Sequence, residues 1–241
     1  MVGCRYYLAG KSAEAFLAIE FPLRLRFNPM MIRLLIATRN DHKVGEIESL
    51  LGSKFECLTL RDFPAAPGVV EDATTFAGNA NKKASGIARW LSAQAGQKPD
   101  FVLADDSGLE VDALDGAPGI HSARFAAKDS GQFGNSSDGE NNAKLLALLK
   151  DVPAAKRTAR FRCVLAVVAV GGSRENTTWL FEGACEGRMD LAPRGNGGFG
   201  YDPLFIPAGY EVSFAELGET VKNRISHRAK ALAKLQAALS A

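Results

Sequence analysis

The chain has 241 residues, 46% hydrophobic and 23% charged, with a formal net charge of +2. That length buries a sizeable core in one large α/β domain or two small lobes, and the composition is globular rather than disordered or fibrous. The near-neutral charge argues against a nucleic-acid polymer as partner, because backbone binding selects for a basic excess, and no apolar run reaches the roughly 18 residues of a membrane span.

Residues 1–30 hold several arginines, scattered apolar residues, Glu14 and Glu20. They lack the apolar stretch and small-residue cleavage site of a secretory signal and read as a non-essential N-terminal extension. A single domain is expected over 31–241. Residues 32–37 read as a buried strand, followed by a helix over 42–51 with Val44, Ile47, Leu50 and Leu51 on one face. A second strand is expected at 55–60. A helix over 75–92 carries Phe76, Ala80, Ala84, Ile87 and Leu91 at helical spacing. Residues 101–104 form a short buried strand that ends at Asp105-Asp106. Residues 127–139 are rich in Gly, Ser, Asn and Asp and read as an exposed loop, before a helix over 141–150. The strongest strand is 160–170, with an antiparallel neighbour at 177–186 and a turn at Gly171-Gly172. A glycine-rich loop occupies 195–200, and a helix over 226–239 closes the chain. Early strand–helix alternation and a late hairpin predict an α/β fold, a mixed central β-sheet with helices on both faces.

Five segments have the residue types for chemistry. Thr38-Arg39-Asn40-Asp41-His42-Lys43 lies where a strand gives way to a helix, where free backbone N–H groups and the helix dipole favour anions. The plainer reading is an N-cap with solvated charges. Asp105-Asp106-Ser107-Gly108 places adjacent carboxylates at a strand end, suited to Mg²⁺ or to activating water, or else forms an Asp-capped turn. Glu71 and Asp72 are further candidate metal ligands or solvated acids. Gly195-Asn196-Gly197-Gly198-Phe199-Gly200 has the letters of a dinucleotide fingerprint without the strand–helix context, since Pro193 precedes it and Pro203 follows. It remains a loop whose backbone can approach a ligand, with Phe199 and Tyr201 available to stack on a base or to pack in the core. In Lys222-Asn223-Arg224-Ile225-Ser226-His227-Arg228, Ser226 is a plausible N-cap, and His227 and Arg228 fall in the first helical turn, where cations oppose the dipole. Such placement points weakly to an acceptor ligand, against a reading as solvated charge. Cys4, Cys57, Cys163 and Cys185 form no CxxC pair and read as free thiols in a reducing compartment.

Taken in order, ATRNDHKVGEI, TFAGNANKKA, LADDSGLEVDALDGAPGIHSARFA, RFRCVLAVV, FEGACEG, GNGGFGYDPLFIP and KNRISHRAKAL resemble the Ham1/inosine triphosphate pyrophosphatase family, from about Ile32 to the C-terminus. The resemblance implies an elongated, two-lobed fold with a cleft between the lobes, usually a cytoplasmic homodimer. It implies hydrolysis of the non-standard purine nucleoside triphosphates ITP, dITP and XTP to monophosphate and pyrophosphate, with Mg²⁺. Carried over by position, Thr38, Arg39, Asn40, Asp41, His42 and Lys43 would hold phosphates. Asp106 would be general base and metal ligand, Glu71 the second acidic metal position, and Ser107 a substrate contact. Phe199, Gly200, Tyr201 and Asp202 would wall the base, with Lys222, His227 and Arg228 completing the site. The family's helix motif commonly reads FxENA; here it is Phe76-Ala77-Gly78-Asn79-Ala80, so Gly78 stands where an acid is usual. The extension over 1–30 also lies outside the family pattern.

On this reading Asp106 activates a water that attacks the α-phosphorus, and Lys43 and Lys222 share the charge of departing pyrophosphate. Arg228 or His227, donating to O6, would favour hypoxanthine and xanthine over adenine, which offers a donor there. The alternatives are a pyrophosphatase for other modified nucleotides and a catalytically inactive nucleotide-binding module.

Overall fold

A computed structural model describes residues 31–130, 134–172 and 177–240. The expected N-terminal extension, and Cys4 within it, lie outside these residues. The first half runs β1 (Ile32–Ile36), α1 (Asp41–Leu51), β2 (Phe55–Thr59), α2 (Phe76–Ser92) and β3 (Phe101–Val111). After two short 3₁₀ turns come α3 (Ala127–Ser130), α4 (Asp138–Leu149), β4 (Thr158–Ala169), β5 (Thr178–Met189), β6 (Phe205–Pro207), α5 (Phe214–Ile225) and α6 (His227–Ser240). The six strands form one sheet in the order β2-β1-β3-β4-β5-β6. β1 pairs in parallel with both β2 and β3, and β5 pairs antiparallel with β6, so the sheet is mixed as expected.

Helix starts follow local chemistry. Asn40 caps α1, its side chain accepting from the Lys43 N–H, and Thr75 caps α2 by accepting from Gly78 N–H. Ser137 with Glu140, and Ser213 with Glu216, form reciprocal capping boxes that start α4 and α5. Ser226 stands before α6 and accepts from the Ala229 N–H at 3.2 Å.

Three expectations are corrected. β3 does not stop at the aspartates but continues to Val111, because Leu109 and Val111 are both fully buried and extend the strand's apolar pattern. The polar stretch 127–139 is not all loop: α3 occupies its start, and the Ser137 capping box begins α4 three residues early. α5 was not anticipated; its polar sequence hides a helix that a capping box starts and that breaks direction at Gly218, φ +75°.

The chain forms two compact units. Of the described residues, the first holds 31–106, 164–172, 177–182 and 231–240. Its core joins Leu34, Leu35 and Ile36 of β1 to Ile47 of α1, Ala80, Ala84 and Ile87 of α2, and Val102 and Leu103 of β3. From β1 to β2 the chain steps one way across the sheet, and from β2 to β3 it steps back past β1. Right-handed crossovers, the rule between parallel strands, put α1 and α2 on opposite faces.

The second unit holds 107–163 and 183–230. Its core gathers Leu109, Val111, Phe125, Leu145, Leu149 and Tyr201 around a ring cluster. Phe161 meets Phe205 at 4.7 Å, and Phe205 meets Phe214 at 5.3 Å between centroids. Buried Arg157 ties this unit together by donating to the carbonyls of Leu149, Val152 and Asp190.

Candidate active site

In the first unit, β3 carries Asp105 and Asp106 on alternate faces, as strand geometry requires. Each meets a lysine from a different helix. Lys43 Nζ of α1 donates to Asp105 Oδ1 at 2.6 Å, and Lys83 Nζ of α2 lies 3.2 Å from Asp106 Oδ1. Lys83 also reaches Glu71 Oε2 at 2.8 Å, joining the connection before α2 to the strand. Asp105 and Asp106 are both buried, at 1% and 7% exposure. Glu71, Asp105 and Asp106 thus share the ammoniums of Lys43 and Lys83.

Burial raises the Asp106 pKa above the ordinary carboxylate value, working against the lowering effect of Lys83 and Lys43. Burial opposes the charge on Lys83, yet Asp106 and Glu71 outweigh it and hold that pKa above the usual lysine value. Asp106 Oδ2 is buried and has no hydrogen-bond partner. An orphaned carboxylate oxygen in an acid-rich cluster fits a hard divalent cation, which takes oxygen ligands. Among the described residues no group of three or more His, Cys, Asp or Glu is placed to hold a metal ion. Mg²⁺ is commonly bound through one or two carboxylates, with substrate phosphate and water as further ligands.

The loop 38–43 is locally ordered by its own side chains. Thr38 Oγ1 accepts from the Asn40 N–H, and Asn40 Oδ1 from the Lys43 N–H, both at 3.2 Å. Arg39 donates to the Ala66 carbonyl at 3.1 Å, and Asp41 pairs with Arg61 at 2.6 Å. Thr38, Arg39 and Asp41 line a recess whose far wall is Thr59, Leu60, Arg61 and Pro64. His42 is exposed at the helix start.

In the second unit, the glycine-rich loop is held from several sides. Asp202 Oδ2 accepts from the Phe199 N–H at 2.9 Å and from Lys222 Nζ at 2.5 Å, and Lys222 Nζ lies 4.5 Å from the centre of the Phe199 ring. Gly198 has φ +71°, and a Cβ there would stand 2.1 Å from Asp202 Oδ2, so only glycine fits. The Gly200 peptide is gripped at both edges: its N–H donates to Asp138 Oδ2 at 2.6 Å, and its carbonyl accepts from Asn142 Nδ2 at 2.9 Å. Tyr201 does not present a stacking face. It is 4% exposed within the hydrophobic core and donates its hydroxyl to the Ser122 carbonyl, and burial raises its pKa.

Arg224 is exposed, but the other basic side chains of the last segment are not solvated. Lys222, His227 and Arg228 are all buried, His227 stacked on Phe161 at 4.9 Å and Arg228 donating to Ser107 Oγ at 3.0 Å. Lys222 faces Asp202 and Phe199 and so supports the glycine-rich loop.

Sequence reasoning missed the role of Lys83. A signal was present: Ala80, Ala84 and Ile87 define the buried face of α2, and Lys83 sits three residues after the first and four before the last, on that same face. A lysine on an apolar face needs an anionic partner.

A mixed α/β sheet with a lysine-bridged carboxylate cluster on its central strand has the donor set of metal-assisted phosphoanhydride chemistry. The chain belongs to the Ham1 family, whose pattern matches residues 34–238. It is 48% identical over 207 residues to the dITP/XTP pyrophosphatase of Geobacter sulfurreducens, covering 86% of this chain and 96% of that one. It is 48% identical over 206 residues to the dITP/XTP pyrophosphatase of Geobacillus kaustophilus, covering 85% and 93%. Among solved structures, the Ham1 protein of Coxiella burnetii superposes with a TM-score of 0.72 at 34% identity, covering 87% of this chain and 99% of that one.

Proposed function

We propose that this protein hydrolyses ITP, dITP and XTP to the monophosphate and pyrophosphate in a Mg²⁺-dependent reaction, clearing them from the nucleotide pool. The observation that carries this is buried Asp106, its Oδ2 without a partner, beside Glu71 and Lys83 in a chain so similar to named dITP/XTP pyrophosphatases. Asp106 and Glu71 are the residues that would hold Mg²⁺. A bound divalent ion would neutralise phosphate charge and lower the pKa of a water.

The Asp106 carboxylate takes the proton of a water whose oxygen bonds to the α-phosphorus. The bond from that phosphorus to the bridging oxygen breaks, and pyrophosphate leaves with the electron pair. Lys83, between Glu71 and Asp106, and Lys43, on Asp105, are cations able to offset the developing charge. Thr38 to Lys43 orient the phosphates at the start of α1, where the helix dipole favours anions. Phe199, on the loop set by Gly200, Tyr201 and Asp202, offers its face to the base, and Arg228 and His227 act as donors toward O6, with Ser107 positioning Arg228. The same reading carries a cytoplasmic location and a homodimer, the latter checked by light scattering on the purified protein. Among the described residues no helix is long and apolar enough to cross a membrane.

The test is pyrophosphate release from ITP, dITP, XTP, ATP and GTP, with Mg²⁺ and with chelator. Fast, metal-dependent release from the first three is expected, lost in Asp106→Asn with the fold intact. Arg228→Ala should shrink the ITP-over-ATP preference. Binding of ITP without release of pyrophosphate would identify an inactive nucleotide-binding module instead.

A further inference from the structure

The acid usual at position 78 is missing, and the structure shows what occupies its place. Residues 69–73 lie along one stripe of α2. A Cβ built on Gly86 would stand 3.1 Å from Val69 Cγ2, Lys83 pairs with Glu71 at 2.8 Å, and Lys82 pairs with Asp72. Buried Asn79 accepts from the Ala73 N–H at 2.9 Å, and a Cβ on Gly78 would stand 2.7 Å from the Ala73 methyl and 3.1 Å from Thr75 Oγ1. Positions 78, 79, 82, 83 and 86 recur at three- and four-residue steps, so they form a single stripe. The partners run in the opposite direction, 69 opposite 86 and 73 opposite 78. The lengths agree: eight helical residues rise about 12 Å, and four extended steps span about 13 Å.

We infer that Gly78 is the seat of the Glu71 segment. Having no side chain, it admits the Ala73 methyl group, and this close approach holds Glu71 on Lys83 beside Asp106. The divalent-ion site then draws its acid outside β3 from Glu71, and Gly78 is a positioning residue rather than a lost ligand. Glycine is needed here because any Cβ must push Ala73 and Thr75 away, and with them the backbone that carries Glu71. The cluster is aimed at a ligand because Asp106, more than nine-tenths buried, keeps Oδ2 without a partner. What the site binds rests on the metal-dependent reading above; how its acidic segment is seated does not.

The experiment compares the full chain with Gly78→Ala, Ala73→Gly and Ala73→Gly/Gly78→Ala, without nucleotide. Hydrogen exchange of the 71–75 amides reads the seat, Mn²⁺ titration followed by electron paramagnetic resonance reads the ion site, and thermal melting reads global stability. Gly78→Ala should speed exchange over 71–75 and weaken Mn²⁺ by about tenfold, the scale expected when support of a ligand is lost. Moving the methyl group back in the double variant should return both within about threefold of the parent, a coupling that independent sites would not show. If Gly78→Ala does not fold, the double variant decides: retained Mn²⁺ affinity supports the seat, and its loss overturns it. Unchanged exchange in Gly78→Ala overturns the seat. Faster exchange with unchanged Mn²⁺ affinity, or a parent chain that takes up no Mn²⁺, overturns the assignment of Glu71 to the ion. A parent chain that binds Mn²⁺ but releases no pyrophosphate from ITP refutes the proposed function and leaves the seat standing.

Discussion

Replacing Lys222 with methionine isolates the electrostatics beneath the glycine-rich loop. The side chain keeps its length and apolar stem but loses the ammonium that sits 2.5 Å from Asp202 Oδ2. Asp202 is only 2% exposed and also accepts from the Phe199 N–H, so its carboxylate would be left in a poor dielectric without the ammonium that neutralises it. Breaking a buried pair from one side costs about 3–5 kcal/mol, most of it the orphaned charge. At about 2–4 °C per kcal/mol for a chain of this size, melting should fall by roughly 6–20 °C. Adding Asp202→Asn removes that charge while leaving an amide oxygen for the Phe199 N–H, so the double variant should melt above Lys222→Met. Calorimetry on the parent, both single variants and the double closes the cycle. A Lys222→Met protein melting within about 2 °C of the parent, or a double variant no more stable than the single, would refute the argument that charge burial governs this site.

Gly198→Ala should disturb the same loop, since it combines a left-handed backbone with a Cβ on Asp202; we expect a raised KM for ITP and a loss of about 1–2 kcal/mol from the backbone alone, read by kinetics and melting. Lys83→Met removes the cation that most opposes the upward shift of Asp106. Its folded pKa therefore rises further, the deprotonated base is reached only at higher pH, and the acid limb of the kcat/KM profile should move upward; an unmoved limb would count against Asp106 as base. Burial pushes the Cys185 thiol up to about 11. Thiolate is the reactive form, so alkylation of native Cys185 should be slow at neutral pH and climb about tenfold per pH unit, as peptide mass spectrometry can follow; fast labelling at pH 7 would contradict its burial.

Much of the fold was legible because periodicity records burial. The strands at 32, 55 and 160, and the helices at 42, 75, 141 and 226, were found within a few residues of their observed limits, and the strand at 101 at its start only, since apolar spacing distinguishes a strand from a helix without knowledge of neighbours. The missed helix α5 shows the limit of that signal. Its first turn is specified by a Ser213–Glu216 capping box, but its apolar residues are too few for spacing to reveal it. The candidate site was legible as a set of segments, because Asp105-Asp106, the glycine-rich loop and Lys222 to Arg228 each carry unusual residue types.

How those residues pair was decided only by tertiary structure. Lys83 meets Glu71, twelve residues away, and Asp106, twenty-three residues away, because an extended segment and a strand both reach one face of α2. Tyr201 and Phe199 have the same aromatic character in the sequence, yet one ring packs in the core and the other lies against Lys222. The sequence marked Gly78 only as a departure; the structure shows the Ala73 methyl in the space it leaves. Sequence periodicity determined which residues are buried, whereas the choice of partner for each buried charge depended on distances set by chain crossings that local spacing does not encode.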